Sequence, residues 1–170
     1  MNYKWIGAIL IIAGCSFFGF MVAAGCKREE KYLRELYGAL EFMAAELKYR
    51  LSPLSELVAR AAEHTSGTLW QLFSALDREL AGQIAPNAEA CMRAALEQTP
   101  SVPPLTGKML RMLGKSLGKF DVSGQLSGIN LVREACNENM KRLARDRVER
   151  LRSYRTLGIC AGIAIAILLI

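Results

Sequence analysis

The sequence predicts an all-α membrane protein in which N- and C-terminal transmembrane helices flank a cytoplasmic six-helix bundle with long antiparallel stalk helices. Three observations predict it: an uncharged apolar run at each end, a charged segment between them, and helical spacing of apolar residues within that segment. Of the 170 residues, 52% are hydrophobic, and residues 27–155 hold all 16 acidic and all but one of the 22 basic residues. No stretch shows the alternation typical of strands.

The first element is a predicted transmembrane helix over residues 5–26, which contain no charged side chain. A spanning helix needs roughly 17 to 25 apolar residues, so this run is long enough. Within it, Ile12-Ala13-Gly14 before Cys15 also resembles the lipobox of an exported lipoprotein. Cleavage there would leave the apolar run SFFGFMVAAG at the new N-terminus without a polar tether. We therefore favour an uncleaved helix and keep a lipid-anchored, exported helical scaffold or sensor as the alternative.

The distribution of charge indicates the orientation in the membrane. Eleven Lys and Arg residues lie within 15 positions of the two apolar runs on the side of segment 27–155, whereas Lys4 is alone on the far side. Basic residues mark the cytoplasmic side of a span. The sequence thus predicts a two-pass protein of the cell membrane, with a cytoplasmic helical domain at 27–155. The second span, 156–170, is short, and Tyr154 and Arg155 would extend it into the headgroup layer.

The cytoplasmic domain opens with a helix that continues out of the first span. Its apolar residues recur every three or four positions: Leu33, Leu36, Leu40, Met43, Leu47 and Leu51. Ser52 and Pro53 then predict the N-cap and first-turn residue of a second, short helix. That helix carries Leu54, Leu57, Val58 and Ala61 on one face and is broken by Thr65-Ser66-Gly67.

Four further elements complete the domain. Residues 69–80 have the spacing of a third helix, closed by Gly82, and 87–98 that of a fourth. The loop TPSVPP precedes a fifth helix over 105–117, with Leu105, Met109, Met112, Leu113 and Leu117 inward. A sixth begins near Val122 and runs into the second span, so the first and last helices are expected to pair as an antiparallel coiled-coil stalk.

The residue types argue against catalysis. His64 is the only histidine, and the five cysteines form no C-x-x-C pair; they are Cys15, Cys26, Cys91, Cys136 and Cys160. Neither a zinc site nor a His-activated nucleophile is expected, nor is a disulfide framework. Gly114-Lys115-Ser116 matches the end of a phosphate-binding loop, but the pattern requires glycine where Met109 stands. We predict no catalytic residue, metal or cofactor, with His64 on the surface or at a helix C-cap and the cysteines buried.

Charge and small residues suggest partners. The net charge of +6 is crowded against the predicted membrane, especially in KRLARDRVERLRSYR, where interleaved acids would repel phosphates. We therefore expect anionic lipid headgroups rather than nucleic acid as the partner. Gly158 and Gly162 form a G-x-x-x-G face in the second span, and Gly19 with Ala23 a similar face in the first. These faces would allow the spans, or copies of the chain in a homo-oligomer, to pack closely, although glycine also occurs in spans without this role.

Three stretches resemble the stage III sporulation protein AB family of endospore-forming bacteria: GFMVAAGCKREEKYLREL, LKYRLSPLSEL and LGKSLGKFDVSGQ. The spacing of Leu117, Gly118, Asp121 and Gln125 is the most specific part of the likeness. That family resembles a single-repeat relative of the inner-membrane platform protein of type II secretion and type IV pilus machines. The resemblance implies a channel or secretion-like complex between mother cell and forespore, located in the mother-cell membrane around the forespore. It also implies a cytoplasmic secretion-type ATPase and other membrane subunits as partners.

The same motif has a structural interpretation. Gly118 can adopt the left-handed conformation that closes the fifth helix, and Asp121 can accept N–H groups at the start of the sixth. Gln125, one turn later, could bond back to the turn. Pro53 and Glu56 equally suit a helix start. Each of these residues therefore has two interpretations, a helix-capping role and direct contact with a partner.

Overall fold

The computed structural model describes the backbone of residues 3–82, 86–118 and 121–169, and the side chains of 25, 27–82, 86–118 and 121–146. These described segments contain six α-helices and no strand, which confirms the all-α, six-helix prediction. The helices are α1 (Tyr3–Tyr49), α2 (Leu54–Glu63), α3 (Gly67–Gly82), α4 (Ala88–Gln98), α5 (Pro104–Ser116) and α6 (Val122–Leu169).

The chain divides into two compact units. The first comprises Met1–Arg28 and Lys141–Ile170, and the second comprises Glu29–Met140. The predicted spans, 5–26 and 156–170, belong to the first unit and, apart from Gly25, lie outside the residues whose side chains are described. Within the described residues, no helix is long and apolar enough to cross a membrane. The two spans and the antiparallel stalk stay predictions.

The apolar stripe of α1 forms part of the core of the second unit, with one exception. Leu33, Leu36, Leu40 and Met43 are fully buried, and Leu47 is 4% exposed. The prediction was wrong for Leu51, which lies beyond the end of α1 and is 65% exposed. A proline disfavours helical backbone in the residue before it, so the helix ends ahead of Ser52-Pro53 and Leu51 leaves the stripe.

Glutamates of α1 hold the starts of two other helices. Glu35 accepts hydrogen bonds from both the backbone N–H and the hydroxyl of Ser66, just before α3. Glu29 Oε1 accepts the N–H of Thr106 in the first turn of α5 at 2.9 Å. The first N–H groups of a helix lack partners within the helix and favour negative charge. These contacts therefore fix where α3 and α5 begin relative to α1.

Helix α5 packs closely on α4 and α6 at two glycines. A Cβ placed on Gly114 would lie 2.7 Å from Met92 Cβ of α4, and one placed on Gly128 of α6 would lie 2.2 Å from Ser116 Cβ. The buried apolar residues of this helix are Met109, Leu110 and Leu113, with Leu117 just beyond it. The predicted inward face was rotated: Leu110 replaces Leu105 and Met112, which are only half-buried.

Candidate functional site

The turn after α5 lies against the starts of α2 and α4. Gly118 has a φ of +73°, and a Cβ placed on it would lie 3.5 Å from Leu54 Cδ2 and 3.6 Å from Ala88 Cβ. Leu117, just before it, donates its N–H to the carbonyl oxygen of Leu113 at 3.1 Å. The fold therefore brings the LSPLSEL and LGKSLG stretches together, although they are far apart in the sequence.

Asp121 caps the start of α6. Its Oδ1 accepts the N–H of Gly124 at 3.0 Å, and its carbonyl oxygen accepts the N–H of Gln125 at 3.0 Å. This is the N-cap geometry that the sequence suggests for Asp121. Gly118 and Asp121 together direct the chain from α5 into α6, while Lys119 and Phe120 between them lie outside the described residues.

The start of α2 differs from the prediction in its cap. Pro53, with φ −56° and ψ 151°, occupies the N-cap position, and no side chain caps the helix. Ser52 instead donates its hydroxyl to Glu46 Oε2 of α1 at 3.4 Å. A hydrogen bond to a charged carboxylate is stronger than one to a neutral group, so the Ser52 hydroxyl binds Glu46 and does not cap α2. Helix α2 therefore begins one residue later than expected.

A network of charges connects the end of α1 to α2. The Glu46 carboxylate, 11% exposed, lies 3.7 Å from an Arg50 nitrogen and 3.6 Å from an Arg60 nitrogen. Arg60 also lies 3.1 Å from Glu56 Oε1, whose side chain is 48% exposed. Exposed pairs add little to stability, but a network sharing Arg60 orients the two helices. Glu56 is thus partly engaged within the chain and partly open to solvent.

Large apolar side chains are exposed at this turn. Among the described residues, five such side chains are exposed, and three of them flank Gly118 and Pro53: Tyr49 (77%), Leu51 (65%) and Val122 (40%). We call the surface formed by Tyr49, Leu51 and Val122, together with Pro53 and Gly118, the turn face. Leu51 also has a φ of +53°, which costs a residue with a side chain roughly 1–2 kcal/mol. The left-handed conformation of Leu51 ends α1 ahead of Ser52-Pro53 and leaves its side chain open to solvent.

The predicted site residues separate by burial. Leu117 is 1% exposed and serves the core, so it cannot present a side chain to a partner. Pro53, Glu56, Gly118 and Asp121 are exposed, and Gln125 is half-buried. The predicted packing residues of the two spans lie outside the residues whose side chains are described; they are Gly19, Ala23, Gly158 and Gly162.

The described residues contain no group of three or more His, Cys, Asp or Glu that could hold a metal ion. His64 lies at the C-cap of α2, where its ring centroid is 3.9 Å from that of Phe42. Gly114-Lys115-Ser116 lies inside α5, as the sequence predicts, and does not form a phosphate-binding loop. Gly114 instead serves the contact with Met92.

Two cysteines are described, and both are buried. Cys91 is 2% exposed and Cys136 is fully buried. Burial raises the pKa of the Cys136 thiol to about 12, and burial together with the nearby Glu79 charge raises the pKa of Cys91. Because the thiolate is the reactive form, neither residue is a nucleophile at neutral pH. Both have the apolar packing role predicted for them, and Cys15, Cys26 and Cys160 lie outside the described side chains.

Comparison with known proteins supplies the family. The sequence profile of stage III sporulation protein AB matches residues 4–170. The chain belongs to the stage III sporulation protein AB family. A member from Bacillus subtilis (strain 168) is 24% identical over 169 residues, which cover 98% of each chain. A solved structure of a stage III sporulation protein AB matches with a TM-score of 0.61 at 21% identity, covering 69% of this chain and 94% of that one, which shows a shared fold.

This member of the stage III sporulation protein AB family has one surface that was not predicted from its sequence. An open groove of about 570 Å³ lies between α2 and α3, and Trp70, 51% exposed, forms part of its wall. A signal was present, because Trp70 falls on the polar side of a helix whose inward residues are Leu69, Leu72, Phe73 and Leu76. A large aromatic residue on a polar helix face marks a surface worth testing for a partner.

Proposed function

We propose that this chain is a membrane-embedded platform or adaptor subunit of a sporulation complex, and that its turn face recruits a cytoplasmic secretion-type ATPase. Membership of the stage III sporulation protein AB family supports the role in sporulation. The complex would be a channel or secretion-like assembly between mother cell and forespore. Other membrane subunits and anionic lipid headgroups would be its remaining partners, and the chain itself would be non-catalytic.

One observation carries the docking site: three exposed apolar side chains surround two turns that the fold brings together. Aromatic anchors such as tyrosine supply much of the binding energy at protein interfaces, and burial of aliphatic side chains adds to it. Basic side chains border the same turns, since Lys48, Arg50 and Lys115 are exposed. The turn face thus suits a partner with an apolar pocket and an acidic rim, because opposite charges at the rim favour encounter.

The test compares two equally exposed leucines. Leu51 and Leu131 are both 65% exposed, but Leu131 lies in α6, about 14 Å along the helix from Val122. Leu51→Asp, Leu131→Asp, Asp121→Ala and Gln125→Ala are expressed at the normal level in a sporulating host lacking its own copy. Spore yield and ATPase co-purification are measured.

Leu51→Asp should reduce both readouts by tenfold or more, and Leu131→Asp should leave them unchanged. Asp121→Ala and Gln125→Ala should give intermediate losses if the turn must keep its shape. Wild-type ATPase recovery from the Leu51→Asp strain, at equal protein level, rules out docking on the turn face.

Topology is tested separately by cysteine labelling. In a cysteine-free chain, Ser101→Cys in the TPSVPP loop should resist a membrane-impermeant maleimide in intact cells, whereas a cysteine appended after Ile170 should react. Labelling at Ser101→Cys would contradict the cytoplasmic domain. Radiolabelled palmitate on Cys15 of the unaltered chain would then identify the lipid-anchored alternative.

A further inference from the structure

The groove between α2 and α3 is built from one face of each helix. Helix α2 contributes the small residues Ala59 and Ala62 together with Glu63, and Ala62 is 5% exposed. Helix α3 contributes Trp70 and four polar residues at helical spacing: Gln71, Ser74, Asp77 and Arg78. The alanines form a shallow floor and the Trp70 ring forms a wall, so a ridge of side chains on a partner helix can fit into the groove.

The α3 side of this groove is complementary to itself. Suppose that a second copy of α3 lies antiparallel to the first, with a two-fold axis through Ser74. Each residue then faces the residue that is equally far from Ser74 on the other side. Trp70 then meets Arg78 of the other copy, Gln71 meets Asp77, and Ser74 meets Ser74. An isologous interface requires this reciprocity: if residue i of one copy contacts residue j of the other, then residue j of the first contacts residue i of the second.

We propose that the α2–α3 groove is a homodimer interface whose occupant is α3 of a second copy of this chain. The guanidinium of Arg78 stacks on the Trp70 ring of the other copy, an arrangement favoured by the negative face of the indole. Glu63 also lines the groove, so it offers the incoming arginine a carboxylate. Each contact occurs twice in the dimer.

The chain cannot make these contacts within itself. Trp70 and Arg78 lie on the same helix, eight residues and thus about 12 Å apart along its axis. Within the described residues, Arg78 forms no ion pair at 4.0 Å or less. The small side chain of Ser74 at the crossing point permits the close approach of two helix axes, which a larger residue there would prevent.

The size of the surface predicts a weak dimer. A single pair of 16-residue helices forms a small interface, of the class found in transient complexes. Covalent capture in the membrane is therefore the appropriate readout. The experiment uses the full-length chain with its five cysteines replaced by alanine and with Ser74→Cys added. Arg93→Cys, exposed on α4, is the matched control.

Mild oxidation should link Ser74→Cys chains into a dimer and leave Arg93→Cys chains monomeric. Co-expressed Gln71→Cys and Asp77→Cys chains should also cross-link to each other. Absence of the Ser74→Cys dimer from chains whose helical circular dichroism is intact overturns the proposal. Equal cross-linking at Arg93→Cys overturns it as well, because random collision would then explain the product.

A residue swap tests the Trp70–Arg78 pair. In the Ser74→Cys chain, Trp70→Arg alone should lower the cross-linked fraction roughly tenfold, since two cation–π contacts are lost per dimer and arginine then faces arginine. The chain carrying both Trp70→Arg and Arg78→Trp should regain the dimer, because it restores the pair with its members exchanged. Both residues are exposed, so the folded unit should tolerate the changes. A double variant that stays monomeric argues against this register.

Discussion

Glycine is needed for different reasons at the contacts of helix α5 and at the turn face. At α5 the reason is close packing, whereas at the turn face it is a left-handed backbone. A Cβ on Gly114 of α5 would lie 2.7 Å from Met92 Cβ, and a Cβ on Gly128 of α6 would lie 2.2 Å from Ser116 Cβ of α5. At the turn face, a Cβ on Gly118 would meet only ordinary contacts, and the backbone φ of +73° is what calls for glycine. Leu51 has a similar φ, +53°, without being glycine.

The difference separates positions that have no room for a side chain from turn positions that have room for one. Overpacking between helices costs about 1–3 kcal/mol, so the contacts of α5 with α4 and α6 need glycine at positions 114 and 128. A strained turn costs about as much but tolerates a side chain that points into solvent. Leu51 keeps such a side chain where glycine would be easier, and this is consistent with the contact role that we propose for it.

The largest effect on stability is expected at the α5–α6 contact. Gly128→Ala should lower the free energy of unfolding by about 1–3 kcal/mol, because its Cβ would overlap the Ser116 side chain. Denaturant unfolding of the full-length protein, followed by circular dichroism, measures it. Adding Ser116→Gly should recover more than half of the loss. If the two changes are simply additive, the close contact does not exist.

A smaller loss is expected at the turn after α5. Gly118→Ala should cost roughly 1–2 kcal/mol through backbone strain alone, since the neighbouring atoms leave room for a Cβ. Gly118→Asn should cost less, because asparagine enters the left-handed region more readily. The same unfolding assay applies. Equal losses for alanine and asparagine would mean that space, rather than φ, requires the glycine.

The smallest effect on stability is expected at Leu51. Leu51→Gly should change the free energy of unfolding by less than about 1 kcal/mol, since relief of strain is offset by the greater freedom of glycine when unfolded. Recovery of the ATPase should nonetheless fall as it does for Leu51→Asp. A variant that loses stability but keeps the ATPase would make Leu51 a structural residue and break the contrast with Gly118.

The sequence by itself determined what depends on near neighbours in the chain. Helical spacing predicts the buried stripe of α1 from Leu33 to Leu47, and the cap at Asp121 involves an N–H only three residues away. Predictions from the sequence were wrong where another residue or a chain constraint overrode the local pattern. Ser52 turns to Glu46 instead of capping α2, and Leu51 leaves the stripe because the chain must depart from the helix before Pro53.

Only the tertiary structure decided which distant segments meet. Gly118 lies against Leu54. Glu35 accepts the N–H of Ser66 just before α3, and Glu29 accepts the N–H of Thr106 in α5. The spacing of residues in the sequence does not encode the helix crossings that make these contacts. The groove at Trp70 is likewise a product of how α2 and α3 pack. Periodicity records which side of a helix is apolar, but the crossing angle and the neighbour follow from the fit of whole surfaces.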